Sequence, residues 1–499
     1  MSVRWHKMSP VNLAYRAVLV CLGLAMASAA FADEASTARR FEQARQDEPS
    51  LIAFLKAMPK GGDLHRHFPA GIFAEEALRL AIQRGLFFDP ATSRFEPEAG
   101  PGRVPAERLL SDDGLRYQFL NAASMRGPFT GPAGGHDQFF RTFGILGTAV
   151  PNLDLASLLV EMSRRARLQN VQYLELMAGP GREGMERVKS AALATDTPEE
   201  LPRRLKPLID DYVTAAKQDL DRWEREVADK AGFDRPVAVR YLIAAARTDT
   251  DARIMATWAA GFSLMQVDPR VVGVNLLAPE DHPIAQEGFE RQMRILDGLW
   301  GQFGRPNISL HAGELNLWVS PVEPMTSRIR RSIEVGHARR IGHGISIAWE
   351  HDLPGLLRMM RREGIAVEVC PTSNAVILGV EGDRHPFRLY RRAGVPLTIN
   401  TDDEGISRSN LTMEYVRAVR GWNLSYRDVK ELVRNGIEYS FLAGPSLFEG
   451  RDYRRVRPEF RKLRARGWIP TPDEARVLAG SDKATVQVRL ERALHEFER

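Results

Sequence analysis

From Gly62 onward, short apolar runs alternate with long stretches of helical periodicity. The runs occupy residues 63–67, 171–177, 237–243, 271–277, 307–314, 340–343, 366–370 and 396–402. They are rich in Val, Ile, Leu and Tyr, which favour strands, and several end in polar or small residues. Eight strands alternating with helices predict an α/β fold with a parallel sheet covered by helices. Eight is also the number that closes a (β/α)8 TIM barrel. Upstream, residues 33–58 predict a helical lead-in. Arg45-Gln46-Asp47-Glu48-Pro49 breaks one helix and starts another, whose apolar face is Leu51, Ile52, Phe54 and Leu55. The barrel is expected over residues 59–450. It is interrupted at about residues 72–170 by a stretch too long for one crossover, with Gly/Pro-rich pieces at 98–102 and 127–135. Such an insertion is either a lid over the barrel mouth or an inert excursion. Residues 451–499, rich in Arg, predict a helical tail that packs on the barrel.

The first 32 residues have a different pattern. Arg4, Lys7 and Arg16 precede an apolar run at 17–27, and Ala30-Phe31-Ala32 follows. A basic start, a short apolar centre and an A-x-A site describe a secretory signal peptide, cleaved after Ala32. The run is too short to span a bilayer comfortably, and Val20 before Cys21 argues against a lipoprotein. The mature chain is therefore expected to be periplasmic or secreted, with no stable membrane association.

At 44% hydrophobic and 27% charged, the composition is that of a soluble globular protein and excludes wholesale disorder. The segment to be removed carries three basic residues and no acidic one, so the net charge falls from +5 to +2. A chain so near neutrality has no footprint for nucleic acid. Of the two cysteines, Cys21 leaves with the signal and Cys370 stands alone. A disulfide framework and a multi-cysteine metal site are both excluded. The oligomeric state is not legible.

The chemistry lies at the ends of the runs. His65-Arg66-His67 closes the first, and residues two apart on a strand share a face, so both imidazoles can meet one metal. His311-Ala312-Gly313-Glu314 closes the fifth, offering a third nitrogen ligand and a carboxylate beyond a turn that Gly313 permits. Gly342-His343-Gly344 closes the sixth. Asn400-Thr401-Asp402-Asp403 closes the eighth, and adjacent carboxylates there are costly unless paired or metal-bound, although one could serve as a helix cap. All four clusters fall where barrel enzymes keep their active sites. Three histidines and one carboxylate suit Zn²⁺ with an open position for water, leaving Glu314 and His343 as acid and base. There is no H-E-x-x-H, P-C-x-x-C or G-x-x-x-x-G-K-[ST] motif. That removes zincin proteases, cytidine-deaminase zinc sites and P-loops. The fourth run contains no lysine to bridge two metals, so one ion is expected.

Taken in order, 58–67 (M-P-K-G-G-D-L-H-R-H), 311–314 (H-A-G-E), 340–344 (R-I-G-H-G), 368–374 (E-V-C-P-T-S-N) and 400–403 (N-T-D-D) resemble the adenosine deaminase family. The M-P-K-G-G lead resembles its exported bacterial members and the secreted adenosine deaminase-related growth factors of animals. The resemblance covers about residues 40–445. It implies one zinc per chain, held by His65, His67, His311 and Asp402, and a small-molecule purine as substrate. Glu314 would protonate ring N1 of the purine, so that water activated by the metal attacks C6. His343 would take or steer the water proton and stabilise the attacking oxygen. Asp403 would accept a hydrogen bond from protonated N7. The implied reaction converts adenosine, or a related 6-aminopurine nucleoside, to the 6-oxo purine and ammonia.

Two departures loosen the substrate. The family usually carries Asp or Glu shortly after H-x-H to recognise a sugar hydroxyl, and here the stretch is Phe68-Pro69-Ala70-Gly71. Ala278 stands where the family tends to have glycine, with its backbone facing the purine edge. Glu175, inward by alternation in the second run, is either a sugar-side contact or part of a structural ion pair. Two other readings stay open: a related hydrolase acting on adenine or an N6-substituted purine, and a non-catalytic exported binding protein.

Overall fold

The computed structural model describes residues 34–127, 131–230, 232 and 237–499. The expected signal segment lies outside the described residues. Eight strands form the centre: β1 (Lys60–His67), β2 (Val171–Ala178), β3 (Ala238–Ala246), β4 (Val271–Leu277), β5 (Ser309–Ala312), β6 (Arg340–His343), β7 (Ala366–Val369) and β8 (Leu397–Ile399). Each overlaps one of the apolar runs. Neighbours pair in parallel within two four-stranded sheets, β1–β4 and β5–β8.

Single parallel bridges close both seams, Val274 with Ile308 and Arg66 with Asp402. At the second seam Asp402 N donates to His65 O at 2.9 Å, and His67 N donates to Asp402 O at 3.2 Å. The backbone contact that shuts the barrel therefore also sets Asp402 beside both β1 histidines.

The barrel interior carries a charged layer below the mouth. Buried Arg340, at the start of β6, donates to Glu175 Oε2 at 2.5 Å and to Glu368 Oε1 at 2.5 Å. Tyr173 Oη and Phe441 N each donate to Glu175 Oε1 at 2.7 Å, and Ser309 Oγ donates to Glu368. Glu175 is thus the ion-pair partner of Arg340, the second of the two readings its sequence position allowed. Alternation does turn it inward, but at the level where β6 begins, so Arg340 claims it. Buried charges persist when paired and hydrogen-bonded in this way. Lower still, the Lys60 ammonium donates to Leu55 O, Met58 O and Gln169 O at 2.5, 3.2 and 2.8 Å. It satisfies carbonyls where the helices Glu48–Ala57 and Leu155–Leu168 end.

The insertion after β1 holds helix Ala74–Gln83, a small antiparallel sheet (Phe87–Asp89, Arg94–Glu96, Val104–Pro105) and helices Asp113–Ala122 and Gly131–Ala149. Helix Leu155–Leu168 then returns the chain to β2. Helix Gly131–Ala149 lies against helix Pro371–Leu378, which follows β7. Its His136 Nε2 sits 3.3 Å from Asp281, in the loop after β4. The insertion therefore rests on the mouth face.

The lead-in is helical at 34–44 and Glu48–Ala57, the second helix capped by Asp47 accepting from Ser50 N. In the tail, a short 3-10 turn at Pro458–Phe460 comes first and the α-helices begin only at residue 472, as Pro472–Ala479 and Asp482–Glu498; residues 461–471, which include Gly467 and Pro470, form turns and irregular chain.

Candidate active site

β1 alternation delivers His65 and His67 to the mouth on one face, and the end of β5 delivers His311 opposite them. His65 Nε2 lies 3.0 Å from His311 Nε2, and His67 Nε2 lies 3.2 Å from it. Asp402 Oδ1 stands 3.5 Å from His65 Nε2 and 3.1 Å from His67 Nε2. Four ligands at about 2.0–2.1 Å from one zinc ion in tetrahedral array are about 3.3 Å apart. The observed separations bracket that edge, so the donor set fits a small divalent ion. His343 also falls within 4.8 Å of His65, His311 and Asp402. Its Nε2 is 4.0 Å from Asp402 Oδ2, longer than such an edge, which leaves it outside the tetrahedron.

The outer nitrogens of two ligands are occupied. His65 Nδ1 meets Glu368 Oε2 at 2.7 Å and His311 Nδ1 meets Asn275 Oδ1 at 2.9 Å. Second partners of this kind fix ring orientation and turn Nε2 inward. Glu368 links this shell to the charged layer, since Arg340 holds its other oxygen. Burial opposes the Glu368 charge, but Arg340 and His65 outweigh it and hold the pKa at about 2. His65 is therefore backed by a carboxylate.

Backbone strain collects at the same place. Asp402, His343 and Ala278 have φ of 59°, 65° and 82°. Non-glycine residues in this region cost energy and persist where the surroundings over-determine them, often at functional sites. At Ala278 the value also explains why glycine is the easier occupant.

Glu314 leaves the end of β5 in a turn clamped by a residue from the preceding loop. Glu280 accepts from Gly313 N at 3.1 Å and from Glu314 N at 2.7 Å. Buried Arg247 and Arg328 stand 3.5 and 3.4 Å from Glu280. Burial first, then the charges of Asp402 and Glu280, push the Glu314 pKa well above the usual carboxylate range. Burial and Asp402 do the same to Asp403. Both shifts favour the protonated form. Glu314 Oε1, His343 Nε2 and Asp403 Oδ1 are buried and have no hydrogen-bond partner within the protein. Three polar atoms left free beside a metal-type donor set define a place for a polar ligand.

The structure thus brings together His65, His67, His311, Asp402, Asp403, Glu314 and His343, with Ala278 on the adjoining β4 loop, and leaves Glu175 below. Sequence reasoning missed Asn275, Glu280, Glu368, Asn374 and His385 as functional neighbours. Strand alternation could have turned Asn275 and Glu368 inward. Nothing local marks Glu280, whose partners are backbone groups 33 and 34 residues away.

Residues 134–447 match the family profile for adenosine deaminase. The chain belongs to the adenosine deaminase family. The matched span starts after β1, so geometry is what joins His65 and His67 to the rest of the set. A curated relative, aminodeoxyfutalosine deaminase of Streptomyces coelicolor, is 28% identical over 58% of this chain and 64% of its own. The match thus spans less than two thirds of that relative's length. Two solved structures share the fold. Arabidopsis ADAL complexed with IMP superposes with a TM-score of 0.55 at 18% identity, covering 89% of this chain and 99% of that one. A zinc-bound amidohydrolase from Burkholderia ambifaria gives 0.53 at 17% identity, covering 89% and 94%.

Proposed function

We propose that this adenosine deaminase family member is a zinc-dependent hydrolase. It converts adenosine, or a related 6-aminopurine nucleoside, to the 6-oxo purine and ammonia outside the cytoplasm, after loss of residues 1–32. The observation that carries this reading is the meeting of His65, His67, His311 and Asp402 at zinc-like separations, beside a buried Glu314 set to be protonated.

A zinc ion on those four residues would act as a Lewis acid and make water a competent nucleophile near neutral pH. The chain supplies the rest. C6 of an aminopurine is a poor electrophile until N1 is protonated. Glu314 gives its proton to N1, which keeps it in the 6-oxo product. Water oxygen bonds to C6 and gives up both of its protons, one restoring Glu314 and one going to N6, so that the C6–N6 bond breaks and N6 departs as ammonia. His343 presents Nε2 to the attacking oxygen. Asp403 hydrogen-bonds the purine at N7, accepting from it when N7 is protonated. Ala278, in its left-handed conformation, lies at the purine edge.

A second reading, action on adenine or an N6-substituted purine, draws support from the first turn after β1. Phe68 is buried with its ring 5.3 Å from Trp223, and Pro69–Gly71 forms a short turn without a carboxylate. No acidic side chain from that stretch is available to a sugar. The intact Glu314 and His343 weigh against a non-catalytic binding protein.

Ammonia release and purine absorbance, followed with adenosine, deoxyadenosine, adenine and AMP on the zinc-loaded mature chain, separate the readings. Glu314→Gln should cut kcat by about 10²–10⁴-fold with zinc content unchanged. Wild-type turnover in that variant would remove Glu314 from the reaction, and inactivity of the wild type on every 6-aminopurine tried would remove the reaction itself.

A further inference from the structure

Behind His343 runs a chain of hydrogen bonds whose polarity is fixed from one end. Phe387 N, a backbone group that can only donate, lies 3.0 Å from His385 Nδ1. That nitrogen must accept, so in a neutral ring the proton of His385 sits on Nε2. His385 Nε2 is 3.2 Å from Asn374 Oδ1, which accepts it. The Asn374 amide is thereby oriented, and its Nδ2 donates to His343 Nδ1 at 3.1 Å. Flipping the amide would set two donors against each other at His385. All three side chains are buried, and burial lowers the His385 pKa to about 3, which keeps its ring neutral.

We propose that Asn374 and His385 are positioning residues that hold His343 as the tautomer protonated on Nε2. Its group facing the reacting centre is then an N–H donor and not a free lone pair. This decides between the two roles open to His343, taking the water proton or steering and stabilising the attacking oxygen, in favour of the second. His343 Nε2 has no other protein partner, so its N–H is free for the oxygen on which negative charge develops. A preorganised donor in a dry site costs no reorganisation when the reaction occurs. Neither Asn374 nor His385 touches substrate in this arrangement; both act through the ring they orient. The catalytic consequence rests on the deaminase reading, whereas the tautomer does not.

The test is two-bond 15N–1H correlation spectroscopy on zinc-loaded mature protein labelled with 15N-histidine, with the His343 ring assigned by its loss in His343→Gln. The wild type should show a protonated Nε2 and an unprotonated Nδ1 at His343. The opposite pattern overturns the proposal, whatever the enzyme acts on. In Asn374→Asp the carboxylate accepts from both rings and draws the His343 proton to Nδ1. The pattern should reverse and kcat should fall about 10²-fold, with KM and zinc content unchanged. An unreversed ring, or wild-type kcat with a reversed ring, sinks the idea. Should Asn374→Asp fail to fold, His385→Ala frees the amide to turn. A mixture of both ring forms with about tenfold lower kcat supports the relay, and a ring pattern identical to the wild type counts against it.

Discussion

At the scale of single residues, the groups that carry charge or metal affinity announced themselves, and those that orient them did not. His65, His67, His311, Asp402 and Glu314 stand out because such residues at strand ends have few structural uses. His385 and Glu280 are ordinary in sequence, and Asn374 closes a family motif without any sign of its task, since the work of all three depends on partners brought in by other βα units. Ala278 lies between these cases. Its φ of 82° belongs to the region that glycine enters freely. Ala278→Gly removes strain of about 1–3 kcal/mol and adds back about 0.5–1 kcal/mol of unfolded-chain entropy. The variant should be at least as stable as the wild type in a denaturant titration. Ala278→Val, β-branched at the same φ, should lose about 1–3 kcal/mol. A destabilised glycine variant would mean that the alanine methyl makes a packing contact worth more than the strain.

At the scale of elements, all eight barrel strands were legible, because runs of Val, Ile and Leu between polar helices have few other ways to be buried. The tail was half legible. Its arginines predicted a helix from 451, but apart from a 3-10 turn at Pro458–Phe460 the α-helices begin at residue 472. What anchors it is a long-range pair that no local pattern encodes. Arg434, on helix Tyr426–Glu438, donates to both oxygens of Glu491 at 2.7 and 2.8 Å, and Arg464 adds a third contact at 3.0 Å. Burial opposes the Glu491 charge, but Arg434 and Arg464 prevail and hold its pKa near 2. The folded pKa lies below the ordinary 4.5, so the folded state binds fewer protons than the unfolded one as the pH drops. This contribution to stability is complete above about pH 4.5 and is lost as pH falls toward 2. Glu491→Gln leaves Arg434 facing an uncharged partner in a buried setting and should cost about 3 kcal/mol at pH 7. The loss should shrink as both proteins are acidified through that window. An equal difference at pH 7 and at pH 2.5 would show that the pair contributes no charge-dependent stability.

At the scale of the molecule, the barrel explains why distant motifs meet, and the insertion packs on the face where they meet. The sequence left residues 72–170 as either lid or inert excursion, because Gly/Pro-rich pieces mark a loop without saying what it touches. Helix Gly131–Ala149 meets the loop after β4 and the helix that follows β7, well apart around an eight-stranded ring, and both lie on the mouth face. The fit is close at Gly135, where an added Cβ would stand 1.9 Å from the backbone oxygen of Val376. A backbone oxygen in a buried helix cannot swing aside as a flexible side chain can. Gly135→Ala must therefore push the inserted helix off helix Pro371–Leu378, the same helix that carries Asn374. The barrel core is untouched by this change, so the thermal midpoint should move little. Access to the mouth is not, and kcat/KM for the best purine substrate should fall about tenfold, roughly 1.4 kcal/mol of transition-state stabilisation. Because Asn374 sits on the contacted helix, the loss should extend to kcat and not be confined to KM. Unchanged kcat/KM with an unchanged thermal midpoint would reduce the insertion to a packing element. A collapse of the thermal midpoint would show instead that the barrel needs the inserted helix to fold.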